Sequence, residues 1–174
     1  MKEKLFKYLS MISLVVIVLA LAALFIPQSF INFQGGAERS FSGVEAIFNF
    51  NWPIGKDWGW LANNIKGRVS AAGIIFIVIS LLAFVCYLFA KKSNSLKLFG
   101  GILETLAGIM LLSMQLWMFI VYPQKSPSVL WVAYVFGALL LVVGALGIYA
   151  AILDLKEEKI QAYSKKSYSY LKNK

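Results

Sequence analysis

Apolar residues dominate four stretches of the chain, and prolines or charged residues separate them. A helix needs about 20 predominantly apolar residues to cross the hydrocarbon core of a bilayer. Each stretch is long enough and ends where the bilayer would end. The pattern predicts four transmembrane helices, at about residues 9–26, 69–90, 98–122 and 129–153.

The links between these stretches predict the fold. The links after the second and third stretches are short, and short links force neighbouring helices to run antiparallel. The expected fold is an all-α membrane protein, a four-helix transmembrane bundle over residues 1–153. A small outer-loop subdomain occupies residues 27–68, and a basic cytoplasmic tail, 154–174, extends the last helix by a turn or two.

The outer loop has local signals of order. Residues 29–33 alternate as a strand does, Gly35-Gly36 is a turn signal, and residues 39–42 follow as a returning strand. This predicts a short β-hairpin. Ser42 and Glu45 have the spacing of a capping box, which predicts a short helix over residues 43–48.

Three tryptophans of the outer loop, Trp52, Trp58 and Trp60, are candidate interaction residues. An exposed aromatic patch would bind a partner or a lipid-like ligand. The alternative is that these side chains pack on the helix ends, and the sequence favours this second interpretation.

Composition and charge support a membrane location. Only 14% of the residues are charged, against about 25% in soluble domains, and 60% are hydrophobic. Twelve of the 17 basic residues lie at the N-terminus, in the link 91–97 and in the tail. Because cytoplasmic segments are enriched in Lys and Arg, both termini of this multi-pass cell-membrane protein are expected in the cytoplasm. Because these basic clusters lie beside the ends of apolar stretches, they indicate membrane topology and not nucleic-acid binding.

The first stretch has an alternative interpretation. Ala20-Leu21-Ala22 is similar to a signal-peptidase site, and cleavage there would leave three helices. The apolar run continues to Ile26, which favours a retained helix.

The sequence offers no support for an enzyme. It has no histidine and one cysteine, Cys86, so zinc-hydrolase sites, Ser-His triads and intrachain disulfides are excluded. No phosphate loop or metal-ligand cluster is present either. We therefore predict no catalytic residue, no cofactor and no metal.

Glu104 is the only acid in a predicted span. Gly100 and Gly108 lie four residues to either side of it, and glycines on its face would let another helix approach closely. One interpretation is a structural acid, neutral or paired with Lys97. The alternative is ion or proton coupling, since intramembrane acids are commonly functional. The sequence favours the structural role.

Other polar and small residues in the spans suggest helix packing. Gln115 is expected to hydrogen-bond another helix, and Gly137 and Gly144 to form a packing seam or a homodimer contact. Tyr87 is expected to belong to an interfacial aromatic belt. The lysines of the tail could bind anionic lipid headgroups.

Two resemblances concern topology. The layout resembles the claudin-like tetraspan families, and Trp58-Gly59-Trp60 is similar to their first-loop aromatic signature, although their two loop cysteines are absent. Residues 41–48 resemble the first loop of small uncharacterised four-helix membrane proteins of low-GC bacteria. The resemblance implies four helices with inner termini and no known activity.

The expected function is therefore association within the lipid bilayer. The outer loop or a bundle face would bind a membrane-protein partner or a second copy, as in a homo-oligomer. The alternative is a small transporter or channel subunit that uses Glu104.

Overall fold

The computed structural model describes residues 2–27, 29, 31–33, 39–48, 70–90, 93–121 and 127–172. The helices in these residues are α1 (Lys2–Ala23), α2 (Gly43–Phe48), α3 (Ala71–Leu88), α4 (Asn94–Leu112), α5 (Met114–Val121) and α6 (Trp131–Lys172). The strands are β1 (Ile31–Phe33), β2 (Arg39–Phe41) and β3 (Pro127–Val129). The prediction of a mainly helical chain is confirmed.

The four long helices pack against one another in chain order. Helix α4 packs against α3 and α6, and α1 also packs against α3 and α6. Residues from the start of α1, the end of α3, the start of α4 and Asp154 of α6 line one cavity. We call this the lysine end, after Lys97. The strands and α2 lie at the other end, the sheet end, so consecutive long helices run in opposite directions.

Three helices are long and apolar enough to cross a membrane: Ala71–Leu88, Asn94–Leu112 and Trp131–Tyr163. The apolar part of α1, Tyr8–Ala23, is shorter than these. The helix ends four residues before Pro27, where the prediction placed its stop. Beyond its end, the Leu24 carbonyl accepts a hydrogen bond from the Val44 N–H of α2 at 3.1 Å, so the backbone turns toward α2 instead of continuing the helix.

The third predicted helix differs at both ends. Helix α4 begins at Asn94 instead of Leu98, because the Ser93 hydroxyl caps it by accepting from the Ser95 N–H at 3.2 Å. It ends at Leu112, and Ser113 separates it from α5. The Ser113 hydroxyl donates to the Met110 carbonyl at 3.0 Å, a local bond that competes with regular helix geometry.

Helix α6 is much longer than predicted. The backbone expected to leave the helix soon after Leu153 stays helical to Lys172. This segment contains no glycine or proline and is rich in Lys and Glu, which are good helix formers. Its first part is also bonded to α4: Asn94 Nδ2 donates to Glu158 Oε1 at 2.7 Å.

The sheet joins strands of the outer loop to a strand of the link that precedes α6. Strands β1 and β2 pair antiparallel, with Ile31 opposite Phe41, which confirms the predicted hairpin. Strand β3, from the link that precedes α6, pairs antiparallel with the other edge of β1, and Ile31 also lies opposite Val129. The strand order is β2-β1-β3. The third strand was not predicted, because Pro127-Ser128-Val129 is too short to show a period of two.

Helix α2 bridges the ends of α1 and α3. Its capping box is confirmed: the Ser42 N–H donates to Glu45 Oε2 at 2.8 Å, and the Glu45 N–H donates to Ser42 Oγ at 3.3 Å. At its other end, the Ser70 N–H donates to the Ile47 carbonyl at 3.0 Å. The sheet end is thus tied to the helices by backbone bonds. The predicted loop residues Trp52, Trp58 and Trp60 lie outside the described residues.

Candidate functional site

Glycines bring the backbones of α4 and α6 into close contact. A Cβ atom on Gly108 would lie 2.6 Å from the Leu141 nitrogen and 2.8 Å from the Gly137 carbonyl oxygen. One on Gly144 would lie 2.7 Å from the Thr105 nitrogen. These distances are too short for any side chain, so the contact requires glycine. We call Gly101, Gly108, Gly137 and Gly144 the glycine seam. Gly137 and Gly144 therefore pack within the chain.

Gly100 does not belong to this seam. It faces α3, where an added Cβ would meet the Cys86 Cβ at 3.3 Å and the Tyr87 ring at 3.4 Å. The expectation that Gly100 and Gly108 admit the same helix is therefore wrong. At 100° per residue, positions eight apart differ by 80°, which is enough to turn them toward different neighbours.

Glu104 lies between helices, wholly buried at 0% exposure. The Tyr87 hydroxyl of α3 donates a hydrogen bond to Glu104 Oε2 at 2.8 Å. The suggested partner Lys97 instead forms a salt bridge with Asp154 of α6, with 2.9 Å between Nζ and Oδ2. Lys97 is seven residues from Glu104, or about 10 Å along the helix. The Lys97 side chain therefore pairs with Asp154, which is nearer to it than Glu104.

Two buried oxygens beside the hydrogen bond between Tyr87 and Glu104 make no hydrogen bond of regular geometry. They are Glu104 Oε1 and Ser13 Oγ of α1, and both residues are 0% exposed. The Ser13 side chain faces both Glu104 and Tyr87. The buried polar cluster of Ser13, Tyr87 and Glu104 therefore draws on three helices.

A small cavity extends from the lysine end to this cluster. Its volume is about 10 Å³, room for about one water. Tyr87, Gly147, Lys97 and Asp154 are among its lining residues, whereas Glu104 is not. Gly147 of α6 allows the close approach of the tyrosine, since an added Cβ would lie 2.8 Å from Tyr87 Oη.

Sequence reasoning missed most of this cluster. The sequence predicts Tyr87 in an interfacial aromatic belt, but the side chain is 4% exposed and bonded inside the protein. Ser13 was overlooked, although a hydroxyl in an apolar helix is itself a signal of interhelical contact. No group of three or more His, Cys, Asp or Glu that could hold a metal occurs among the residues the structure describes.

Gln115 hydrogen-bonds a strand, and not the helix that was expected. Its Nε2 donates to the Pro127 carbonyl, and its Oε1 accepts from the Val129 N–H at 2.7 Å. Both ends of the side-chain amide therefore bind the backbone of β3. Gln115 positions this strand for pairing with β1.

Gln115→Leu is expected to loosen β3 without unfolding the helices. Each lost bond contributes about 1 kcal/mol, and the Val129 N–H would lose its amide acceptor. Hydrogen exchange at Val129 should accelerate by at least about tenfold, since local opening governs that rate. Gln115→Glu keeps the acceptor for Val129 and serves as the control. Equal exchange in Gln115→Leu and the wild type would contradict this role.

The three apolar helices and their lipid-compatible surfaces define a membrane protein. Residues 118–163 match a family described as a short repeat of unknown function, DUF308. This is a family of small membrane proteins of unknown function. The match covers the end of α5, β3 and much of α6. No curated protein matches the chain.

Proposed function

We propose that the chain crosses the membrane four times, with both termini in the cytoplasm. Helix α1 has 22 residues, about 33 Å long, which suffices for a span if its lysine-bearing first turns reach the interface. Its middle exposes apolar side chains where lipid would lie: Met11, Ile12, Val15, Val18 and Leu19. The concentration of lysines at the lysine end supports a cytoplasmic location for that end.

Cysteine labelling tests this topology. In a Cys86→Ala background, Ser128→Cys at the sheet end should react with an impermeant thiol reagent on intact cells. Ser95→Cys at the lysine end should react only after the membrane is opened. Labelling of residue 95 from outside would contradict the proposed orientation.

We infer that the protein is non-enzymatic and acts by association with a membrane protein, which could be a second copy. The observation that carries this proposal is the surface of α5. Leu116, Phe119 and Ile120 are 67%, 53% and 68% exposed on this short helix. Bonding of Gln115 to β3 holds the helix at the sheet end, so its apolar face is presented in a fixed position. Unlike the exposed side chains of α1, this face belongs to a short helix that is fixed by the bonds of Gln115 to β3, and it suits a partner with a matching apolar helix surface.

Reconstitution in nanodiscs tests association through α5. The wild-type chain should elute with a stoichiometric partner or as a dimer, and Leu116→Ala with Ile120→Ala should weaken the complex by at least about tenfold. This corresponds to about 1.4 kcal/mol. Val142→Ala with Leu146→Ala, at exposed apolar positions of α6, is the matched control. A monodisperse wild-type monomer without a partner would overturn the proposal.

A second candidate function is transport or channel activity that uses Glu104. The buried Glu104 carboxyl group and the cavity at the lysine end favour it. Proton-linked uptake into vesicles distinguishes the two. Loss of flux in Glu104→Gln, with the complex intact, would support transport. A wild type that carries no flux, together with a complex that the substitutions in α5 dissociate, would support association.

A further inference from the structure

The complete burial of Glu104 indicates a protonated carboxyl group. The Tyr87 hydroxyl donates to Oε2, and the Ser13 hydroxyl, which faces the carboxyl group, can either donate to Oε1 or accept from it. An ionised carboxylate would leave a bare charge at 0% exposure, which is costly in a membrane interior. A proton on Oε1 removes the charge, and the nearby Ser13 hydroxyl oxygen can accept a hydrogen bond from it. One proton therefore satisfies two buried groups at once.

At one end, the cluster adjoins a cavity that is also lined by partly exposed charges. Tyr87 lines the cavity at the lysine end, and its hydroxyl donates to Glu104. The cavity holds about one water, too small for an organic substrate. Lys97 and Asp154 stand in its lining as partly exposed charges. A proton carried by one water molecule fits this space.

We propose that Glu104 is a proton-binding site, and that its proton exchanges with the lysine end through the Tyr87 hydroxyl. On uptake, an ionised Glu104 takes the Tyr87 proton at Oε2 while cavity water gives a proton to Tyr87 Oη. Glu104 gains one proton, solvent loses one, and Tyr87 is unchanged. Rotation of the neutral carboxyl group then brings the proton to the Ser13 side.

The neighbouring groups fit this assignment. Helix α1 contributes the neutral Ser13, α3 contributes Tyr87 and Cys86, and the charges of Asp154 and Lys97 neutralise each other toward the lysine end. Among the described residues of the cluster, Glu104 is thus the group that changes charge. A proton site of this kind exists whether or not a substrate crosses the membrane or a partner binds.

Infrared spectroscopy of the reconstituted full chain tests the site. The band of a protonated carboxylic acid should be present in the wild type and absent in Glu104→Gln. Transfer to D₂O should shift this band, and Tyr87→Phe should slow the shift by at least about tenfold, because a positioned proton relay typically contributes that much or more. Tyr149→Phe removes a hydroxyl that faces lipid and is the matched control, expected to exchange at the wild-type rate.

Gly147→Ala provides an independent variant that retains every polar group. Its methyl group would displace the Tyr87 hydroxyl, 2.8 Å from the new Cβ, and should slow exchange as Tyr87→Phe does. Circular dichroism verifies that each variant folds. A carboxylic acid band that survives in Glu104→Gln overturns the site. Exchange at the wild-type rate in a folded Tyr87→Phe or Gly147→Ala variant overturns the route.

Discussion

Gly108→Leu is expected to leave little folded protein. The new side chain would begin 2.6 Å from the backbone nitrogen of Leu141 and 2.8 Å from the Gly137 carbonyl oxygen. Backbone atoms cannot rotate away as a side chain can, so α4 and α6 must separate along the glycine seam. Overpacking of a well-packed site costs about 1–3 kcal/mol, and a forced backbone shift takes this substitution to the upper end or beyond. Yield and thermal unfolding in detergent measure the effect.

Gly100→Ala is the matched control for this prediction. It lies on the same helix, but its added methyl group would meet side-chain atoms of Cys86 and Tyr87 at 3.3 Å or more. A shift of a few tenths of an ångström accommodates it, so the midpoint should change little. Gly108→Ala should fall between the two variants. A Gly108→Leu protein with wild-type yield and midpoint would show that α4 and α6 do not pack as described.

Features with local sequence signals were predictable. The hairpin followed from alternation and a glycine turn, and the α2 cap followed from the spacing of Ser42 and Glu45. Both depend on residues within a few positions of each other. The apolar stretches likewise predicted the long helices, because lipid solvation imposes a minimum length.

Features that join distant residues were not predictable from one sequence. Strand β3 pairs with β1 across nearly one hundred positions and has no period of its own. The partner of Glu104 is 17 residues away on another helix. The glycine seam depends on helix rotation: Gly101 and Gly108 are seven apart and share a face, whereas Gly100 is turned by a further 100°. An offset of one residue therefore places Gly100 against α3, whereas Gly101 packs against α6.

Glu104→Leu is expected to destabilise the protein far more than Glu104→Gln. Leucine removes the acceptor of the Tyr87 hydroxyl, and an unsatisfied buried donor costs about 1–3 kcal/mol. Glutamine keeps an oxygen for Tyr87, and its amide N–H can donate to Ser13 Oγ in place of the carboxyl proton. The glutamine variant should therefore unfold within about 1 kcal/mol of the wild type.

A double-mutant cycle with Tyr87→Phe isolates this hydrogen bond. If Tyr87 and Glu104 interact as described, Tyr87→Phe with Glu104→Leu should cost less than the sum of the single substitutions, because the pair is lost only once. The coupling free energy should exceed about 0.5 kcal/mol, the usual error of additivity. Thermal or denaturant unfolding in nanodiscs gives all four free energies. Additive costs, or a glutamine variant as unstable as the leucine variant, would contradict a hydrogen-bonded carboxyl group between α3 and α4.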